Sequence, residues 1–279
     1  MPKVRANGVE LFYEESGAGE PLLLIAGFAC DHTNWHKLLP LLASSHRVIT
    51  FDNRGVGQSS SPDTSYSIRQ MVEDTVGLLD AIGLNCVHVA GHSMGGQIGL
   101  ELALACPGRV KSLILLSSCA KMDARGRTVI ELWGDLPKLV DPTTAIRLSL
   151  PWIYTANFYA RAGAVDEVIR EILANPFPPT VSGIYQQSRA ITSYDASARL
   201  REIKCPTLVV VGDEDILGGL LLSADLAHHI PGGQLVVLKQ AAHGLLTECA
   251  EATAASMMDF LSDLGKGRKV EEVRRKLQQ

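Results

Sequence analysis

The chain has 279 residues, of which 46% are hydrophobic and 20% charged, and this length is enough for a large buried core without disulfides or a structural metal. The net charge of −4 and a pI near 6.1 argue against a nucleic-acid-binding protein, which normally has a basic face. No apolar run reaches the roughly 20 residues of a membrane span, and the first residues lack the apolar segment of a secretion signal.

Strand-like and helix-like segments alternate along most of the chain. The segment 67–83, for example, has apolar residues at helical spacing on one side. This alternation predicts an α/β protein with a mostly parallel sheet and helices on both faces. The predicted strands are 9–15, 21–27, 47–52, 86–91, 110–118, 206–215 and 233–243. The predicted helices are 33–43, 67–83, 94–106, 222–230 and 250–263.

The segment 120–203 differs from the rest, because it contains helix-length stretches but no buried-strand pattern. It also contains most of the aromatic residues and several prolines. We predict a helical cap inserted between two core strands, above the carboxyl edge of the sheet, where open α/β sheets bind ligands. Trp133, Trp152 and Phe158 are candidate substrate-pocket residues, with the alternative that these aromatic side chains hold the cap together.

This pattern divides the chain into three parts. The core consists of residues 1–119 and 204–265, and the cap of residues 120–203. The remaining residues, 266–279, form a basic tail in which acidic residues stand four positions before basic ones, a spacing that supports an exposed helix.

The six cysteines are scattered and lack the spacing of a metal site or a redox pair. Most of them lie in apolar runs, as buried free thiols do. Unpaired cysteines favour a reducing environment, so we expect a cytoplasmic protein.

The segment 89–99, VAGHSMGGQIG, places one serine among glycines. Gly91, Ser93 and Gly95 match G-x-S-x-G, the pattern of a nucleophile carried on a sharp turn between a strand and a helix. Glycine is placed where the backbone must bend or approach closely. A predicted buried strand leads directly into the motif and a predicted helix follows it, which is the context that the motif requires. Ser93 is therefore a candidate nucleophile.

A serine hydroxyl needs a general base, and the base needs an orienting acid. Of the eight histidines, His243 follows the last predicted strand and is the candidate base. The side chain of His92, next to the serine, is expected to diverge from it on the turn. The acid should follow the strand before the histidine, where Asp213, Glu214 and Asp215 are all available. The residues alone leave these three open.

From about residue 8 to 263, the chain resembles enzymes of the α/β-hydrolase fold. The resemblance implies an eight-stranded, mostly parallel sheet with helices on both faces and a helical cap insertion. Residues GDED match the family's G-x-x-D motif, which implies Asp215 as the acid, and AHGLLTE is similar to the family's histidine loop, which implies His243 as the base. The order Ser93, Asp215, His243 is the order that this fold uses. Asp123 is the alternative acid, at a position that some members use.

The segment 27–35, GFACDHTNW, resembles the family loop that supplies an oxyanion-binding amide. This implies the backbone amides of Phe28 and Met94 as the oxyanion hole, and Cys30 as a candidate pocket residue. The family often has histidine where this chain has Ala26, so a common hydrogen bond near the loop is absent.

The segment 52–59, DNRGVGQS, matches the family motif D-x-R-G-x-G-x-S. Its residues are expected to be structural rather than catalytic, with an Asp–Arg pair that pins the loop near the site. Asp31 and His32 either line the pocket or only solvate their loop. After Asp215 the family often has a proline, whereas this chain continues with ILGG, which predicts a more flexible loop.

The resemblance and the motifs predict a serine hydrolase that forms an acyl-enzyme and needs no cofactor or metal. The apolar cap indicates a small to medium hydrophobic carboxylic ester or lactone as the substrate, and no nucleic acid or membrane as a partner. The alternatives are an enol-lactonase, a carbon–carbon bond hydrolase, and a stress-signalling regulatory hydrolase that acts with a protein partner. An anionic substrate would need an inward arginine, and the available residues are Arg125, Arg147, Arg161 and Arg189.

Overall fold

Eight strands form one sheet in the computed structural model, which describes residues 2–265. The strands are β1 (Lys3–Ala6), β2 (Val9–Ser16), β3 (Glu20–Ile25), β4 (His46–Phe51), β5 (Val87–His92), β6 (Val110–Leu116), β7 (Thr207–Gly212) and β8 (Gln234–Leu238). Their order is β1-β2-β4-β3-β5-β6-β7-β8; β2 pairs antiparallel with β1 and β4, and the other pairs are parallel. The predicted fold class is confirmed. The pattern did not predict β1, which has two basic residues among its four.

Eleven α-helices accompany the sheet in the described residues. They are α1 (Leu39–Leu42), α2 (Ile68–Ala81), α3 (Met94–Ala105), α4 (Ala124–Leu139), α5 (Pro142–Ser149), α6 (Ala156–Ala160), α7 (Ala164–Leu173), α8 (Val181–Ser193), α9 (Leu220–His229), α10 (Leu245–Glu248) and α11 (Ala250–Gly265).

The prediction of one helix over 33–43 is wrong. A short 3₁₀ turn at His32–Trp35 is followed by a single α turn, α1. Pro40 lies at the start of α1, and because proline has no backbone N–H and clashes with the preceding turn, a helix cannot continue through it.

Alternate side chains of the strands form two apolar clusters, one on each face of the sheet. Leu23 and Ile25 of β3 belong to the cluster that includes residues of α2, α3 and α9. Leu22 and Leu24 belong to the other cluster, with residues of α1 and α11. Both faces are therefore buried, which explains why apolar residues point to both sides of the parallel strands.

Helices α4–α8 lie between β6 and β7 in the chain and form the cap. Four of them begin at a residue whose side chain accepts a hydrogen bond from a backbone N–H of the first turn: Asp123, Asp141, Thr155 and Thr180. Such N-caps satisfy donors that have no partner within the helix and fix where each helix starts.

The cap packs on the core through α4 and α8. Ile130 and Trp133 of α4 and Ile191 of α8 belong to the same apolar cluster as the strands. This packing places the two helices directly over the end of β5, where Ser93 lies.

Within residues 2–265, no helix is both long and apolar enough to cross a membrane. The basic tail predicted for 266–279 lies outside the described residues.

Candidate active site

The turn between β5 and α3 holds Ser93 in an unusual backbone conformation. Its φ is 53° and its ψ is −115°, a region that residues other than glycine rarely adopt. A side chain at Gly91 would collide with the backbone of Gly95, and one at Gly95 with the backbone of Ile25. The glycines are therefore needed because the strand, the turn and the helix pass so close together.

The three residues of the predicted acid–base set lie together at the carboxyl edge of the sheet. Ser93 follows β5, Asp215 follows β7 and His243 follows β8. The Nε2 atom of His243 lies 3.0 Å from the Ser93 Oγ, and its Nδ1 lies 3.1 and 3.3 Å from the two carboxylate oxygens of Asp215. With the ring proton on Nδ1, where it is donated to Asp215, the Nε2 lone pair faces the serine hydroxyl.

The loop after β7 fixes the carboxylate of Asp215. Its Oδ1 accepts hydrogen bonds from the backbone N–H groups of Leu217 and Gly218, both at 2.9 Å. The other candidate acids lie away from His243: Glu214 is exposed, and the remaining two have other partners. Asp123 caps α4 by accepting from the Gly126 N–H, and Asp213 pairs with a surface lysine.

The carboxylate of Asp215 carries the negative charge of this site. Burial would raise the pKa of Asp215, but the charge and the hydrogen bond of His243, with further backbone N–H donors, lower it far below its usual range. Asp215 is therefore ionised near neutral pH.

His92 lies beside the set and does not reach the serine hydroxyl. Its side chain diverges from that of Ser93, as expected, and its Nε2 donates to the backbone carbonyl of His243 at 3.0 Å. Burial, followed by the nearby charge of His243, lowers the pKa of His92 to about 4. A neutral His92 thus ties the nucleophile turn to the histidine loop.

The two predicted oxyanion amides have no competing acceptor. In the described chain, the backbone N–H groups of Phe28 and Met94 donate to no other protein group. The loop that carries Phe28 adjoins the nucleophile, since a Cβ built on Gly27 would lie 3.4 Å from the Cβ of Ser93. Free N–H groups at this position are what a developing oxyanion requires.

A cap residue that no sequence motif indicated holds this loop. Gln187 of α8 is fully buried; its Oε1 accepts from the Ala29 N–H at 2.8 Å and its Nε2 donates to the Arg54 carbonyl at 3.0 Å. Ala29 has a φ of 56°, so the loop beside Phe28 is bent into the left-handed region. Gln187 lies 158 positions from Ala29 in the chain, so only the fold reveals the contact.

Asp31, His32 and Asp52 lie close enough together to suggest a metal site, but hydrogen bonds use their ligand atoms. Asp52 accepts from the backbone N–H of His32 and Gln58, and its Oδ1 lies 2.7 Å from the His32 ring. Asp31 accepts from the side chain of Asn175 at 2.6 Å. These contacts fasten the oxyanion loop to its neighbours and to the cap.

The predicted pairing of Asp52 with Arg54 is wrong. The guanidinium of Arg54 makes a buried, two-fold hydrogen bond to Asp74 of α2, at 2.5 Å for both contacts. Asp52 already has other partners, because its Oδ1 accepts from His32 of the oxyanion loop and its Oδ2 accepts from the Gln58 N–H.

A small cavity of about 20 Å³ adjoins Ser93 and His243. Buried side chains of α3, of the loop after β6 and of the cap line most of it: Met94, Gln97, Cys119, Met122, Ile130 and Ile191. The volume is room for one water-sized group.

The predicted pocket residues Cys30, Trp133, Trp152 and Phe158 are not among those that line this cavity in the described chain. Trp133 instead stacks on Phe28, with ring centroids 6.3 Å apart. Phe158 stacks on Tyr154 at 4.1 Å in an apolar cluster of the cap, because aromatic rings at the centre of a small helical unit bury each other.

The two thiols nearest to the site are poor nucleophiles. Burial raises the pKa of Cys30 and of Cys119 to about 12, so both remain protonated. The four arginines considered for an anionic substrate lie at the surface, and three of them pair with exposed carboxylates: Arg147, Arg161 and Arg189. Arg125 donates to the Ile216 carbonyl.

Comparison with known proteins agrees with this architecture. The alpha/beta hydrolase fold family matches residues 20–248. The chain is 31% identical over 264 residues to a protein of Azorhizobium caulinodans named "Putative carbamate hydrolase RutD", covering 95% of this chain and 99% of that one. It is also 31% identical over 270 residues to a 2-hydroxymuconate semialdehyde hydrolase of a Pseudomonas species, covering 94% and 93%.

Among solved structures, the enol-lactonase of Burkholderia xenovorans superposes with a TM-score of 0.85 at 26% identity, covering 94% of this chain and all of the other. The chain is therefore a hydrolase of the alpha/beta hydrolase fold family.

Proposed function

We propose that this protein is a serine hydrolase that cleaves a carboxylic ester or lactone through an acyl-enzyme. The observation that carries the proposal is the alignment of the Ser93 hydroxyl, both ring nitrogens of His243 and the carboxylate of Asp215, with contacts of 3.0 and 3.1 Å. A nucleophile, a base and an orienting acid in this order are the requirements for acyl transfer.

Each residue has one role in the reaction. His243 takes the proton of Ser93 at Nε2 while the oxygen attacks the carbonyl carbon, and the resulting oxyanion accepts hydrogen bonds from the Phe28 and Met94 amides. Asp215 keeps the ring proton on Nδ1 and stabilises the imidazolium. His243 then protonates the leaving alcohol, and afterwards activates the water that releases the acid.

The lining of the cavity supports an apolar, small to medium substrate. Met94, Met122, Ile130 and Ile191 contribute most of the wall. Because the cavity holds only a small group, the rest of a substrate requires the cap side chains Ile130 and Ile191 to move, as lids do in many hydrolases. The likeness to an enol-lactonase supports including lactones in the substrate class.

Carbamate hydrolysis is a second candidate, favoured by the 31% identity to the relative named as a carbamate hydrolase. The same residues could carry it out, since attack of Ser93 on a carbamoyl carbon forms an oxyanion in the same place. Only the substituent on the carbonyl carbon differs between the two functions.

The test is a turnover panel of p-nitrophenyl esters of increasing chain length, lactones, a phenyl carbamate and a meta-cleavage product for carbon–carbon hydrolysis. The proposal would be supported by multiple turnover on esters or lactones. This turnover should be lost in Ser93→Ala and kept in the surface control Ser256→Ala. Turnover confined to the carbamate or to the carbon–carbon substrate would overturn the substrate class. A single slow turnover on all compounds would instead favour the signalling role.

A further inference from the structure

Gln97 is a polar side chain in a wall that is otherwise mostly apolar. It lies on α3 one turn after Ser93, lines the cavity and is only 2% exposed. Its Nε2 has a long contact, 3.9 Å, to the sulfur of Cys119, and its Oε1 has no hydrogen-bond partner in the described chain. A buried carbonyl oxygen without a partner costs free energy, so its presence here calls for an explanation.

Two other hydroxyl groups of the cavity wall have partners within the protein. The Ser93 hydroxyl contacts His243, and the Ser118 hydroxyl donates to the Ser93 carbonyl at 2.8 Å. The Ser117 hydroxyl lies near Asp215 and contributes to the lowering of the pKa of that carboxyl, but it has no hydrogen-bond partner in the described chain. Gln97 Oε1 and the Ser117 hydroxyl are thus the polar groups of the wall without a partner in the described chain, and Gln97 Oε1 is the one of the two that can only accept a hydrogen bond.

We propose that Gln97 Oε1 accepts a hydrogen bond from the acyl part of the substrate, so that the preferred substrate carries an O–H or N–H group next to the scissile carbonyl. This inference rests on the proposed acyl-enzyme function and narrows its substrate class to short acyl groups that bear a donor.

The acyl part, rather than the leaving group, fits this cavity for two reasons. The acyl group stays attached to Ser93 while the leaving group must depart, and the buried side chains of Met122, Ile130 and Ile191 make the cavity narrow. Its size of about 20 Å³ admits one group the size of a hydroxyl or an amino group. A site that offers a buried hydrogen-bond partner also discriminates strongly against an isosteric group that lacks it.

Two isosteric pairs of esters test the proposal in the wild-type protein. Ethyl glycolate and ethyl propionate differ by a hydroxyl for a methyl group, and ethyl carbamate and ethyl acetate by an amino for a methyl group. For each ester, kcat/KM is measured by titration of the released acid, and for the carbamate by release of ethanol. Each value is then divided by the rate constant for attack of hydroxide on the same compound, which corrects for differences in the reactivity of the carbonyl groups. We expect the donor-bearing member of at least one pair to be favoured on the order of 10-fold to 100-fold, the range of one buried hydrogen bond. A preference in the carbamate pair would place the donor on the atom bonded to the carbonyl carbon, and a preference in the glycolate pair would place it one atom further away.

Gln97→Met keeps the length of the side chain and removes the acceptor. We expect it to reduce the preference to about 2-fold or less, whereas the surface control Ser256→Ala keeps the wild-type preference. Gln97→Leu serves if the Met variant does not fold. Wild-type ratios near one, or the same ratio in Gln97→Met, would overturn the inference. If ester hydrolysis instead persists in Ser93→Ala, the proposed function itself fails.

Discussion

Replacing Asp215 by asparagine exchanges one carboxylate oxygen for an NH₂ group and leaves the volume of the side chain almost unchanged. The surroundings decide which way the amide turns. Asp215 Oδ1 accepts from the N–H groups of Leu217 and Gly218, so an NH₂ group there would leave two buried donors unpaired, at roughly 1–3 kcal/mol each. The amide oxygen of Asp215→Asn therefore stays at the Oδ1 position, and its NH₂ group faces His243.

This orientation gives the ring of His243 the wrong tautomer. An NH₂ group donates, so the Nδ1 atom of His243 must accept and the ring proton moves to Nε2. An N–H group at Nε2 then faces the Ser93 hydroxyl, which lies 3.0 Å away, and the ring cannot take the serine proton. By analogy with other triads, kcat should fall about 10⁴-fold, equivalent to about 5.5 kcal/mol of transition-state stabilisation.

The assay compares kcat on a p-nitrophenyl ester for wild type, Asp215→Asn and the control Asp213→Asn, with circular dichroism and thermal melting to verify folding. Asp213 lies two positions away, and its contact to Lys239 is at the surface, so Asp213→Asn should retain nearly full activity. A loss of less than about 10-fold in a folded Asp215→Asn protein would refute the tautomer argument.

Three further predictions concern the same machinery. Ser93→Ala and His243→Ala should each abolish ester turnover, and the double variant should lose little more, because residues that act as one unit are strongly non-additive; additive losses in steady-state kinetics would contradict this. Because burial lowers the pKa of His92 to about 4 in the folded protein, the unfolded state binds a proton on His92 more tightly, and the free energy of unfolding falls as the pH drops below about 6.5. Urea unfolding should give a free energy of unfolding about 2 kcal/mol lower at pH 5 than at pH 7. The variant His92→Gln should lack this difference. Gln187→Leu should lower kcat about 10-fold or more with little change in KM, because the oxyanion loop loses the side chain that accepts from the Ala29 N–H. The control Gln186→Leu removes only a surface hydrogen bond and should leave kcat unchanged. Equal effects of the two substitutions on kcat would refute the role of Gln187 in holding the loop.

The sharp turn that carries Ser93 could be predicted from the sequence because contacts within a short segment determine it. Gly91 and Gly95 are required by backbone contacts within the turn, and a strand and a helix flank the turn in the chain itself. The residues alone left Asp213, Glu214 and Asp215 open, and the structure shows Asp215 at His243 because the loop after β7 bends to direct its side chain inward.

What the sequence did not predict depends on contacts between distant segments. Gln187 meets the oxyanion loop only because the cap folds back over the sheet, and no local pattern marks it. The cap residues predicted for the pocket are aromatic, whereas the cap residues that line the cavity are Ile130 and Ile191, whose position depends on how α4 and α8 pack on the core. Gln97 was within reach of sequence reasoning, because a residue four positions after Ser93 on a helix lies on the same face.

Covalent labelling of the nucleophile tests the central claim most directly. An organophosphate ester reacts readily only with an activated hydroxyl, so intact mass spectrometry should show one phosphoryl group per chain, and peptide mapping should place it on Ser93. The label should be absent in Ser93→Ala and much slower to form in His243→Ala, whose base is missing. A label on any other residue with Ser93 unmodified, or labelling at the same rate without His243, would contradict the account.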